Sequence, residues 1–181
     1  MLADVGGDML ATGAEPGLAS PLCDAIVLAS ALHLSAELEV VGCIFGSGCD
    51  GELTHAEVLE RIAAVARAGI WTGTHSPDPD SARELLGLAD LVPTEASLMA
   101  ARSALGEIGP AEIRGGRRTV ELGPVAALIF TFDARAAVGA AAPLAAAVAG
   151  AESLDDAQGR LAEIGIRTEL DYEREMAARA G

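Results

Sequence analysis

The sequence predicts an α/β domain with a largely parallel sheet flanked by helices, ending in a β-hairpin and a helical segment. Three observations carry this. Apolar runs bounded by glycines alternate with helix-start signals through the first half of the chain. The glycine pair Gly115-Gly116 then sits between two short alternating stretches. From there on the composition is Ala-rich and helical.

In chain order, Ser20-Pro21 reads as an N-cap followed by proline at the first helical position, launching a helix to about Ala36. Residues 38–45 (LEVVGCIF) form a continuous apolar run, the mark of a strand covered on both faces. Thr54-His55-Ala56-Glu57 is a capping box that starts a helix to about Ala68. Residues 70–74 (IWTGT) suit a short strand, and 77–80 a turn before a short helix over 81–88. Pro93-Thr94 opens another helix, with Glu95 favourably placed against its dipole. Residues 112–114 and 117–122 flank the two glycines as a hairpin with a two-residue turn. Arg118, Val120 and Leu122 alternate with Arg117, Thr119 and Glu121, as in a half-exposed strand. Residues 125–132 (VAALIFTF) read as a buried strand, with a helical start at Val125 left open. An Ala-rich helix over about 138–149 follows, then one capped at Ser153 and stopped by Gly165, then a charged segment over 171–178. No internal repeat or linker divides residues 1–181, so a single domain is expected.

Composition narrows the function classes. Hydrophobic residues make up 51% but aromatics only 3%, so the core must be built from Ala, Leu, Val and Ile. Formal net charge is −15, and all 12 basic residues are arginine. Phosphate backbones and anionic membranes would repel such a chain, so neither nucleic acid nor membrane is an expected partner. Cys23, Cys43 and Cys49 show no C-x-x-C spacing, which argues against zinc or a disulfide framework and for a reducing compartment. Without a signal-peptide pattern, the expectation is a soluble cytoplasmic protein.

In sheets of this kind ligands bind beyond the carboxyl ends of the strands. Three loops qualify, at 4–18, 46–53 and 74–79. The first carries Asp4, Gly6, Gly7, Asp8 and Glu15, and the connection continues through Ser20. Asp4 and Asp8 could grip hydroxyls or Mg²⁺, which is bound through one or two carboxylates plus water, or they could cap the turn through backbone amides. The second loop carries Asp50 and Glu52 but lacks the lysine of a Walker loop, and Asp50-Gly51 also suits a tight turn. Cys49 reads as a small buried thiol rather than a nucleophile. His75, on the third loop, is a candidate base or ligand with a surface role as the alternative; His33 and His55 read as ordinary. Arg114, Arg117 and Arg118 surround the hairpin glycines, either as anion contacts or as charges that protect an edge hairpin from pairing.

The stretch D-V-G-G-D-M-L-A-T-G-A-E-P-G-L-A-S-P-L-C-D-A resembles the uncharacterised domain-of-unknown-function family 1152. The resemblance continues through G-C-D-G-E-L-T-H-A-E-V-L-E-R-I, T-E-A-S, I-R-G-G-R-R-T-V-E-L and G-I-R-T-E-L-D-Y-E-R. It implies a Rossmann-like α/β fold and no established activity. It also implies that residues 1–181 correspond to the C-terminal part of a longer family domain, since relatives carry a portion with its own glycine-rich strand-loop before Asp-x-Gly-Gly-Asp. A truncated sheet would favour a homo-oligomer or a separate partner chain. Two readings result: a small-molecule-binding domain with Mg²⁺ as candidate cofactor, acting on a polar or phosphorylated metabolite, or a non-catalytic subunit that pairs through its sheet. In the first, Asp4, Asp8 and Asp50 are acidic ligands, and Arg114 and Arg117 contact an anion.

Overall fold

The computed structural model describes residues 1–89, 91–92 and 94–180. Strands β1 (Leu2–Val5), β2 (Val41–Phe45), β3 (Trp71–His75) and β6 (Ile129–Asp133) form one sheet in the order β1-β2-β6-β3. Strands β4 (Gly109–Ile113) and β5 (Arg118–Leu122) form a separate two-stranded sheet. Eight α-helices are present among the described residues: α1 (Pro21–Ala29), α2 (His55–Arg67), α3 (Pro79–Gly87), α4 (Glu95–Ala104), α5 (Ala134–Ala140), α6 (Pro143–Val148), α7 (Leu154–Glu163) and α8 (Glu169–Ala180). Pro93, the expected opening of the fourth helix, lies outside the described residues; Thr94 caps that helix by accepting from Ser97 N.

The expected largely parallel sheet is mixed. β1 and β2 pair in parallel, whereas β6 enters antiparallel between β2 and β3. β1, β2 and β3 therefore still point the same way, and their carboxyl ends lie along one side of the sheet. The chain reaches β6 straight from the hairpin, through a turn over 124–127, so no crossover helix is available to make that pairing parallel. Phe132 on β6 lies opposite Gly42, where an added Cβ would approach the ring to 2.3 Å. A rare aromatic is thus fitted over a residue with no side chain.

Several elements are shorter than their apolar patterns. β2 begins at Val41 because its ladder partner β6 ends at Asp133, which turns away as the N-cap of α5 and accepts from Ala136 N at 3.0 Å. Leu38 is left 56% exposed. α1 ends at Ala29 and tightens into a 3₁₀ turn over Ser30–His33, where the Ser30 hydroxyl donates to Val27 O at 2.6 Å. The Ala-rich stretch is two helices, α5 and α6, because Pro143 has no N–H to continue the first and would crowd its carbonyls. The hairpin turn spans four residues, 114–117, rather than two, with Ile113 paired to Arg118. A two-residue turn would set Arg114 against Arg117 as like charges directly opposite. Arg114 instead takes a left-handed φ of 53° with the two glycines after it.

Two apolar clusters result. The larger joins α1, α2, α5, α6 and α7 to the sheet through residues such as Leu22, Ile44, Val58, Phe132 and Leu161. The smaller packs α4 and the hairpin through Met99, Ala100, Ile113, Val120 and Leu122, and includes Cys49 from the loop after β2. All three cysteines are free, and no helix among the described residues is long and apolar enough to cross a membrane.

Candidate functional site

The carboxyl ends of β1 and β2 are stitched together beyond the strands. Gly6 N donates to Phe45 O at 3.1 Å and Gly48 N to Gly6 O at 2.8 Å, so the two loops leave the sheet side by side. Gly6 and Gly7 have φ of 135° and 118°, a region open to glycine. The turn they make folds back on β1: Gly7 N and Met9 N donate to Asp4 Oδ2 at 3.0 and 3.1 Å. Gly6 has a second role. A Cβ there would lie 2.3 Å from Asp50 Cγ, so its missing side chain is the space the Asp50 carboxyl occupies.

The loop after β2 supplies Asp50 and Glu52, both buried. Asp50 Oδ1 accepts from Glu52 N at 3.1 Å. Glu52 accepts from Ala19 N at 2.7 Å, Ser20 N at 2.9 Å and the Ser20 hydroxyl at 2.8 Å, and Arg114 Nη2 reaches it at 3.3 Å. Ser20 therefore ties the two loops together and does not cap α1 with its side chain. The Arg118 guanidinium donates to Gly51 O at 2.6 Å.

Five carboxyl groups meet here in two overlapping triads. Oxygens of Asp4, Asp8 and Asp24 lie within 4.8 Å of one another, and so do oxygens of Asp8, Asp50 and Glu52. Asp8 belongs to both. Its carboxyl is pushed far above the usual range, first by burial and then by the charges of Asp4, Asp24, Asp50 and Glu52, all acting in one direction. Burial and Asp24 raise Asp4 as well, against the two amides that favour its charged form. Asp24 is raised by burial, with the Asp8 hydrogen bond opposing. Asp50 is raised to about 6, chiefly by burial. Packed carboxylates with too little positive charge keep protons at neutral pH, or give them up to a cation. All the donors are hard oxygens, the set that suits Mg²⁺, Mn²⁺ or Ca²⁺ rather than zinc or copper.

Other expected residues lie elsewhere. Glu15 turns onto its own loop, accepting from Thr12 N, Thr12 Oγ1 and Gly13 N; burial pushes it up, but these bonds outweigh it and hold it below its ordinary value. Arg117 donates its Nε to Arg114 O and stays within the turn. His75 is exposed at the end of the outer strand β3, with β6 between it and β2. His55 Nε2 donates to Glu121 O at 2.8 Å, bracing α2 on the hairpin. The Cys49 thiol is pushed up to about 12, first by burial and then by Asp50, so it is no nucleophile.

Asp24 joins the site although it lies on a helix outside the three loops, and Arg118, expected at the hairpin as an anion contact or an edge charge, reaches the site through Gly51 O. Both positions carry a signal in the sequence. Asp24 stands four residues after Ser20, one helical turn along the same face. Arg118 shares the inward alternation of Val120 and Leu122.

A family model described as "Protein of unknown function (DUF1152)" matches residues 1–177, which include every residue of this cluster. No curated protein and no solved structure matches the chain.

Proposed function

The chain belongs to the DUF1152 family of unknown function, and we propose that it is a cytoplasmic protein that binds a divalent cation, with Mg²⁺ as the natural choice, to act on a polar or phosphorylated small molecule. The observation that carries this is the pair of carboxyl triads sharing Asp8 at the ends of β1 and β2. These residues fit such an ion. Asp4 and Asp50 each spend one oxygen on backbone amides, which fixes their orientation and leaves the other oxygen for an ion. Glu52, by contrast, is held by three donors of the first loop and by Arg114, so its main work is to clamp the loops together. When bound, the ion would polarise a phosphoryl or carbonyl oxygen of the ligand. The strand arrangement supports a Rossmann-like reading in one respect: the site lies past the carboxyl ends of adjacent parallel strands.

Thermal unfolding with and without MgCl₂ tests the reading. Mg²⁺ should raise the midpoint of the wild-type protein, and Asp4→Asn combined with Asp8→Asn should abolish that gain. A midpoint indifferent to Mg²⁺, Mn²⁺ and Ca²⁺ alike removes the proposal.

A second reading, a subunit that assembles through its sheet, draws on the open outer edges of β1 and β3. Trp71 on β3 is 47% exposed, and its neighbours Thr72 and Thr74 are exposed as well. Light scattering coupled to size exclusion should then give a dimer or larger that Trp71→Arg converts to monomer. A monomer at all concentrations rules it out.

A further inference from the structure

A cavity of about 270 Å³ opens beside the carboxyl cluster, between the loop after β2 and the unit formed by α4 and the hairpin. Its walls are Asp50, Thr94, Glu95, Ala96, Ile113 and Arg114. Arg114 is built into it from two directions. Its left-handed backbone turns its amide onto Glu95 Oε2 at 2.8 Å, and its guanidinium reaches Glu52 at 3.3 Å through one nitrogen. The Arg114 side chain remains 44% exposed, so the rest of its planar donor fork can face a ligand. That fork matches the oxygens of a phosphate group.

Charge sets a condition on what can enter. Asp50 and Glu95 line the same walls as Arg114, so an anion arriving alone meets more negative than positive charge. A divalent cation held among Asp4, Asp8, Asp24 and Asp50 would offset part of that negative charge and give the anion's oxygens a direct positive contact. Mg²⁺ is commonly held by a few carboxylates together with the phosphate oxygens of a substrate. The volume is at the small end for metabolite sites, enough for a phosphate and the atoms next to it but not for a dinucleotide.

We propose that this cavity seats the phosphate group of a small phosphorylated ligand, that Arg114 is its anion contact, and that binding requires a divalent cation at the Asp8 cluster. This rests on the cation reading above and adds the chemistry and place of the second ligand.

The test uses the whole protein with inorganic phosphate as probe, followed by ³¹P line broadening, while calorimetry follows Mg²⁺ separately. Phosphate should bind the wild type in MgCl₂ and weaken at least about tenfold when Mg²⁺ is omitted or Arg114→Gln is introduced, as expected for loss of charge-assisted bonds. Arg114→Lys should fall between the two. Arg117→Gln, altered at the same turn but directed back to Arg114 O, should bind like the wild type. Mg²⁺ affinity should survive Arg114→Gln. If Mg²⁺ binds but phosphate does not, or phosphate ignores Arg114, the cavity assignment falls and the cation reading stands. Equal competition by acetate overturns the phosphate assignment, and equal phosphate binding without Mg²⁺ overturns its dependence on the cation. If the wild type takes up no Mg²⁺, both proposals fall together.

Discussion

Two regions of this protein are rich in carboxylates and treat them in opposite ways. Around α7 and α8 several exposed or half-exposed acids are matched with arginines: Asp156 with Arg160, Asp155 with Arg174 and Glu175 with Arg167. Asp171 accepts from Thr168 N and Gln158 Nε2. The Arg160 hydrogen bond holds Asp156 below its ordinary pKa, and bonds led by the Thr168 amide do the same for Asp171. At the ends of β1 and β2 the acids are buried and crowd one another, and Asp4, Asp8, Asp24 and Asp50 are all raised. The first region uses charge to hold two helices together, at small cost and for small gain. The second keeps an arrangement that opposes folding whenever the groups ionise without a counter-charge. Buried carboxyls raised in this way mark a candidate binding site.

The largest expected difference concerns glycine. Gly6→Ala forces a methyl to 2.3 Å from Asp50 Cγ at φ 135°, whereas Gly165→Ala, at φ 81°, meets nothing within 4 Å. Urea unfolding should show about 3 kcal/mol or more lost at the first and about 1 kcal/mol at the second. Equal losses would mean that Gly6 is there for its backbone angle alone and not for Asp50.

The next is pH. A carboxyl whose folded pKa is raised stabilises the fold below its unfolded value, and that contribution is lost as pH rises through the folded value. For Asp50 the window runs from 3.8 to about 6, and Asp4 and Asp8 extend it upward. The metal-free protein should therefore lose on the order of a few kcal/mol between about pH 5 and pH 8, and Asp8→Asn should flatten the loss. The α7–α8 acids have the opposite sign. Their contribution is present above the unfolded value of 3.8 and fades as pH falls through their lowered folded values. Denaturant midpoints across pH, without metal, separate the two.

The smallest is Asp171→Asn, which keeps the shape but weakens the bonds to Thr168 and Gln158. A loss of about 1 kcal/mol is expected, without any change in Mg²⁺ response. A changed Mg²⁺ response would couple the two regions and blur the contrast.

Local signals were well written in this sequence and long-range ones were not. The Thr54–Glu57 capping box and the Ser153 cap read correctly, since each is decided within four residues. The positive φ of Gly165 is similarly local. The direction of β6 was not legible, because residues 125–132 look alike in a parallel or an antiparallel setting. Strand lengths misled where apolar residues such as Leu38 run past the ladder into solvent. At the site, Asp4, Asp8, Asp50 and Glu52 were legible as glycine-flanked acids in adjacent loops. Glu15 looked the same in sequence but satisfies itself within its own turn. Asp24 was hidden by its place on a helix, and only the packing of α1 over β1 brings it to Asp8.

The central claim is that Asp8 is the shared ligand of a divalent-cation site. Calorimetric titration of the metal-free protein with MgCl₂ at about pH 8, in two buffers of different ionisation enthalpy, tests it most directly, because raised carboxyls must release protons when an ion binds. Saturable binding with proton release, lost in Asp8→Asn but kept in Asp171→Asn, is the predicted result. Absence of saturable binding by the wild type, or binding that Asp8→Asn leaves intact, would contradict it.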